Sequence, residues 1–288
     1  MKKITHNLVF AVAAVFLVAS AMFPNVANGQ GGTSAAGPVN NSVTAMDGRQ
    51  AQADMTEKYL LQQLGDPKEV AAYQAFHKAS EQDGDKKIHL GLAFLAKYPS
   101  DRYSSAVYEE LSQTYYDKKD LPSFYTYSEK GLALFPDDVH LLALSGWVIP
   151  RVFDSHEADA DKKLDKADAY EKHALEMLDK VLKPEGVPDD QFAQYKSGEL
   201  AVAHSGLGLI HFRREQYEAS EKELEIATKN EATPDPTDFY ILGADLDNLS
   251  RYKEAADAFN RCAQIPGAVQ DNCKKYAADA TQRAATAK

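Results

Sequence analysis

From Met55 onwards, apolar residues recur three and four positions apart, and the two-residue alternation of a half-buried strand is almost missing. That period belongs to amphipathic helices, so the folded part of the chain is predicted to be all-α. The first pair of helices is PKEVAAYQAFHKA and, after a turn at Asp83-Gly84, KKIHLGLAFLAKYP, closed by Pro99. A helix through Leu142, Ser145 and Gly146 is predicted to stop at Pro150, because proline removes a donor and crowds the preceding turn. The stretch SHEADADKKLDKADAYEKHALEMLDKVLK then reads as one long helix with an apolar face at Leu164, Ala167, Ala174, Leu178 and Val181. The helix after Pro188 also starts early, near Asp190, so two overlong helices over about 151–200 are predicted to form an inserted arm. A single polar-backed helix closes the chain from about Val269 to Ala285.

The N-terminal pattern is different. Lys2 and Lys3 precede an apolar run from Leu8 to Phe23, followed by Pro24, Ala27 and Gly29. This predicts a secretory signal peptide over 1–29, cleaved after Gly29 or, in competition, at Ala19-Ser20-Ala21. The run is shorter than the ~20 residues of a membrane span. Residues 30–54 are rich in Gly, Ser, Asn and Ala without an apolar period, and are predicted to form a flexible tether. The expectation is a soluble periplasmic or secreted protein, since no cysteine near the cleavage region offers a lipid anchor.

Within the helical part, small and aromatic residues repeat. Phe239 and Leu242-Gly243 are followed by Tyr252, Ala255 and Phe259. One unit back, His204 and Leu207-Gly208 are followed by Tyr217, Ser220, Leu224 and Ala227. Earlier come Tyr108, Leu111-Ser112 and Tyr115, then Phe124 and Pro136. The chain thereby resembles the tetratricopeptide-repeat family, whose unit of about 34 residues is a pair of antiparallel helices. The resemblance covers roughly residues 60–285 and implies an α-solenoid of about five helical hairpins plus a C-terminal capping helix. In the third unit the first helix through Leu142, Ser145 and Gly146 finds its second-helix partner only at Ala174 and Leu178, an insertion of about 16 residues relative to the family spacing.

Net charge is −11 over the whole chain and two units more negative without residues 1–29. An acidic balance argues against nucleic acid or anionic lipid as partners. Cys262 and Cys273 either form a disulfide between neighbouring helices or remain two small buried side chains. Their spacing is not that of a Cys-x-x-Cys redox centre.

Several polar clusters invite a chemical reading. Asp245, Asp247 and Asn248 look like a cation site, but neighbouring helical positions diverge by about 100 degrees, so a solvated helix end is expected. His156-Glu157 lacks the second histidine of a zinc helix. The mixed charges from Asp159 to Asp168 fit a solvated face. His204 and His211 occupy core-aromatic places in the repeat and are expected to pack rather than to bind metal. No nucleophile motif, phosphate loop or dinucleotide fingerprint appears, so neither catalysis nor a cofactor is predicted.

The resemblance implies a different site, because in this family the first helix of each hairpin lines a concave surface that holds a partner peptide or helix. Carried onto this chain, those offsets are Glu109, Gln113 and Tyr116, then His140, Ala143, Trp147 and Arg151. Ser205, Leu209, Phe212 and Arg213 follow, and then Tyr240, Ala244 and Asp247. The lysine and asparagine that clamp a carboxylate in the chaperone-binding members are replaced here. The stretch FLAKYPSDRYSSAVYEELSQTYY is similar to YP-containing repeats of envelope assembly proteins. The implied function is a non-catalytic protein-interaction scaffold of the cell envelope. The alternatives are that Trp147 and Phe212 simply pack against the inserted arm, an enzyme or small-ligand binder with the arm as a lid over Trp147 and Arg151, and self-association through the repeats.

Overall fold

The computed structural model describes residues 66–79, 83–184, 186–230 and 234–287. The signal peptide and tether expected over 1–54, and residues 55–65 of the repeat region, lie outside the described residues. Eleven α-helices, and no strand, occur among the described residues: α1 Pro67–His77, α2 Gly84–Lys97, α3 Ser104–Asp117, α4 Leu121–Leu134, α5 Val139–Arg151, α6 Ala160–Lys180, α7 Asp189–Arg213, α8 Tyr217–Asn230, α9 Pro236–Asn248, α10 Tyr252–Gln264 and α11 Gln270–Thr286. The chain divides into two compact units, one ending at Ile210 and the other running from His211 to the C-terminus, so that the boundary falls inside α7.

Helix starts follow local chemistry. Asp66, Asp83, Asp120, Asp138 and Asp235 each accept a backbone N–H of the first turn, from Lys68, Lys86, Ser123, Leu141 and Thr237. Such caps contribute about 1 kcal/mol each by satisfying an otherwise orphaned donor. Proline pre-sets the first turn of α1, α4 and α9.

The link from first to second helix is the same at three places. Lys119, Glu215 and Ser250 take positive φ of 62°, 57° and 62°. The next residue closes back onto the preceding helix each time: Asp120 N–H to Tyr115 O, Gln216 N–H to His211 O, and Arg251 N–H to Leu246 O. This Schellman-type closure usually has glycine at the left-handed residue. None of the three is glycine, so the helix pairing imposes the conformation.

In the first unit α1 packs on α2, α3 on α4 and α5 on α6, and the leading helices α1, α3 and α5 also touch in sequence. The core is aromatic, with Tyr73 stacked on Tyr103 at 4.6 Å and in edge contact with Phe94. Phe76, Leu111, Phe124 and Leu141 fill the layers behind. The overlong α6 and the start of α7 are observed, and their extra turns pack together: Leu178, Val187 and Tyr195 close over Val139. α5 includes Pro150 and ends one residue later, at Arg151, close to the expected stop. Without an N–H, Pro150 cannot bond the Gly146 carbonyl, and its ring crowds that turn.

In the second unit α8 packs on α9, α9 on α10 and α10 on α11. Gly243 is the close-approach point: a Cβ there would lie 2.7 Å from the Phe259 ring. Phe259 thus fills a notch inside its own hairpin. Tyr276 of α11 lies 5.6 Å from Phe259 and 5.8 Å from Tyr240, and a Cys262–Cys273 disulfide ties α11 to α10.

Candidate functional site

Trp147 and Arg151 are four residues apart on α5 and so share a face. The Arg151 guanidinium carbon lies 3.5 Å from the Trp147 ring centre, a stacked cation–π arrangement. Its Nη1 donates to the Trp147 carbonyl at 3.1 Å and its Nη2 donates to Ser205 Oγ of α7 at 2.9 Å. Tyr116 of α3 meets the same indole edge-on at 5.7 Å. Tyr116 and Trp147 are half-buried, whereas Arg151 is only 3% exposed. Three leading helices therefore meet around Arg151 and an indole that is only half-buried.

Directly behind lies a carboxyl. Glu171 of α6 is wholly buried, and neither of its oxygens has a hydrogen-bond partner. It fills the notch left by Gly146 of α5, where a Cβ would lie 2.6 Å from the carboxyl carbon, and by Gly206 of α7, where a Cβ would overlap Oε1. Ala174 and Leu178 lie on the expected partner helix and pack on α5, Ala174 in the aromatic core and Leu178 in the cluster with Val139. Burial pushes the Glu171 carboxyl well above its ordinary value; Arg151 pulls it back down, and Glu199 and Asp168 push it further up.

Further carboxyls continue this seam between α3, α5 and α7. Ser105 donates to Asp138 and, at 3.4 Å, to Glu109. His140 Nδ1 lies 2.9 Å from Glu199 Oε1. Burial, followed by the neighbouring Asp138 and Glu199, holds Glu109 far above the usual carboxylate range. Among the described residues no group of three or more His, Cys, Asp or Glu side chains is arranged to hold a metal ion.

The remaining residues predicted to line a groove fall into two groups. Gln113 is half-buried and donates to Asp117 at 2.8 Å, while Ala143 and Leu209 are fully buried. In the second unit Phe212 is buried with its ring edge-on to Tyr217, and Arg213 is half-buried. Tyr240 is 1% exposed beneath Tyr276, and Ala244 is fully buried. Asp247 is paired with Arg283 of α11, and Asp245 is fully buried. The expected solvated helix end is therefore corrected: α11 covers Asp247, and Asp245 sits beside Ser220 of α8.

Sequence reasoning missed Glu171, although a signal was present. The spacing Leu164, Ala167, Glu171, Ala174, Leu178 places it in the middle of the apolar stripe of α6, where a carboxylate is out of place. Neither the models of known protein families nor the curated proteins match this chain.

Proposed function

We propose that the chain is an exported protein of tetratricopeptide-repeat type, with no catalysis of its own, that docks a segment of a partner protein on the Tyr116–Trp147 face of α3 and α5. The observation that carries this reading is the half-buried Trp147, held between Tyr116 and Arg151. A rigid aromatic with an arginine behind it is the combination enriched where binding energy concentrates. The recurrent turn at Lys119, Glu215 and Ser250 supports the repeat assignment. The acidic net charge favours a protein partner over a polyanion. Export rests on the pattern of residues 1–29, and N-terminal sequencing of the mature protein tests it.

A photo-crosslinking residue placed at Gln113 or Tyr116, in the cell that makes the protein, tests the face itself. The expected result is an adduct of one defined mass, lost on Trp147→Ala. The same residue placed at Leu182, 85% exposed on another part of the unit, should give none. Equal adducts from all three positions, or none from Gln113 and Tyr116, would remove the docking face.

A further inference from the structure

Packing alone does not explain Glu171, behind the Trp147 face. In the α9–α10 hairpin the notch made by a glycine takes the Phe259 ring. In the α5–α6 hairpin the corresponding notch takes a carboxyl, and a second glycine, Gly206 of α7, opens the other side to admit it. The carboxyl has neither solvent nor a hydrogen-bond donor. An uncharged acid is tolerated in such a place, but an ionised one needs a cation. The charged groups acting on it are Arg151 from α5, Glu199 from α7 and Asp168 from α6 itself. Two of these are anionic, and His140 already engages Glu199. Arg151 is the cation among these groups, and its guanidinium engages the Trp147 ring, the Trp147 carbonyl and Ser205.

We propose that Glu171 is a proton-operated positioning residue for the Trp147 face: uncharged, it leaves Arg151 on Trp147 and Ser205, and ionised, it draws the guanidinium inward and off the indole. Two states of one arginine then give two states of the face. No group is transferred other than a proton between Glu171 and solvent. The consequence for docking rests on the function proposed above, but the movement of Arg151 does not, and it is read without any partner.

Trp147 is the only tryptophan in the chain, so tryptophan emission, excited selectively beyond the tyrosine band, reports this place alone. The mature protein is titrated from about pH 5 to about pH 9, spanning the range between ordinary carboxyl and lysine values, with far-UV circular dichroism recorded alongside. The expected result is one sigmoidal change in emission, with a midpoint above the ordinary carboxyl range and unchanged helix content. Glu171→Gln, which keeps the shape and removes the charge, should abolish the step. Arg151→Met, which keeps Glu171 and removes the group that moves, should abolish it as well and decides the matter should Glu171→Gln fail to fold. A wild-type protein without the step would overturn the proposal. So would a step that survives either substitution, since it would then not come from Glu171 acting on Arg151. A partner found to bind equally at both ends of the titration would sever the step from docking while leaving it intact.

Discussion

Arg283 of the last helix holds Asp247 with both terminal nitrogens, at 2.7 and 2.8 Å, and leaves that aspartate 6% exposed. The ion pair joins the end of α9 to α11 across 36 residues of sequence. Burial raises the Asp247 carboxyl, and Arg283 acts in the opposite direction. Arg283→Ala should therefore leave a buried carboxylate without its cation and cost about 2 kcal/mol. Asp247→Asn, which removes the charge that needs pairing, should cost clearly less. Chemical denaturation of both variants checks the order, and equal losses would show that the arginine acts only by packing.

The Cys262–Cys273 bond closes a short loop, with 11 residues of separation, between α10 and α11. A loop of that length should stabilise the folded state by roughly 3 kcal/mol through the entropy it removes from the unfolded chain. Thermal unfolding with and without a dithiol reductant measures it. The loss should be local first, with hydrogen exchange rising in α11 before α9, since Tyr276, Ala277 and Ala280 pack only through that helix. Uniform loss of protection across α8–α11 would show one cooperative unit with no separable cap.

What was legible in the sequence was short-range. The Leu242-Gly243 and Ala255–Phe259 spacings read as a helical hairpin because their partners lie within one hairpin. The left-handed turns at Lys119, Glu215 and Ser250 were invisible, since none carries the glycine that usually marks them. Cys262 and Cys273 stayed undecided because a separation along the chain does not give the 5.8 Å between their Cα atoms. Asp247 read as solvated because its cover, Arg283, comes from another helix. Glu171 was passed over for a related reason: the stripe it belongs to is local, but Gly206, which makes room for it, is contributed by the next helix.

Two glycines on α7 should respond oppositely to alanine. Nothing lies within 4 Å of a Cβ at Gly198, whereas one at Gly206 would overlap the Glu171 carboxyl. Gly198→Ala should stabilise by up to about 1 kcal/mol, the usual helix-interior gain. Gly206→Ala should lose about 1–3 kcal/mol to overpacking despite the same gain. Combining Gly206→Ala with Glu171→Ala should recover part of the loss, because the overlapping group is gone. Additive losses in the double variant would show that the two residues do not share the notch.

Proton linkage gives the last expectation a definite sign. Glu171 and Asp245 are both fully buried, and burial is the leading cause that raises each above its ordinary value of 4.5 or 3.8. Below those ordinary values both groups are protonated whether the chain is folded or not, and they contribute no pH dependence. Above them the unfolded chain releases protons that the folded chain keeps, so stability falls as pH rises towards the raised folded values, by up to about 1.4 kcal/mol per pH unit for each group. Asp154, Glu176, Asp189 and Glu254 are lowered by hydrogen-bonding neighbours at the surface. Their contribution has the opposite sign and is lost as pH falls through their lowered values, outside this window. Urea denaturation should accordingly give a higher midpoint in mildly acidic buffer than in mildly alkaline buffer. Glu171→Gln and Asp245→Asn should each flatten the dependence, the first through the unit that contains Trp147 and the second through the C-terminal unit. A midpoint that rises with pH, and that Glu171→Gln and Asp245→Asn leave unchanged, would show that these two carboxyls do not set the dependence.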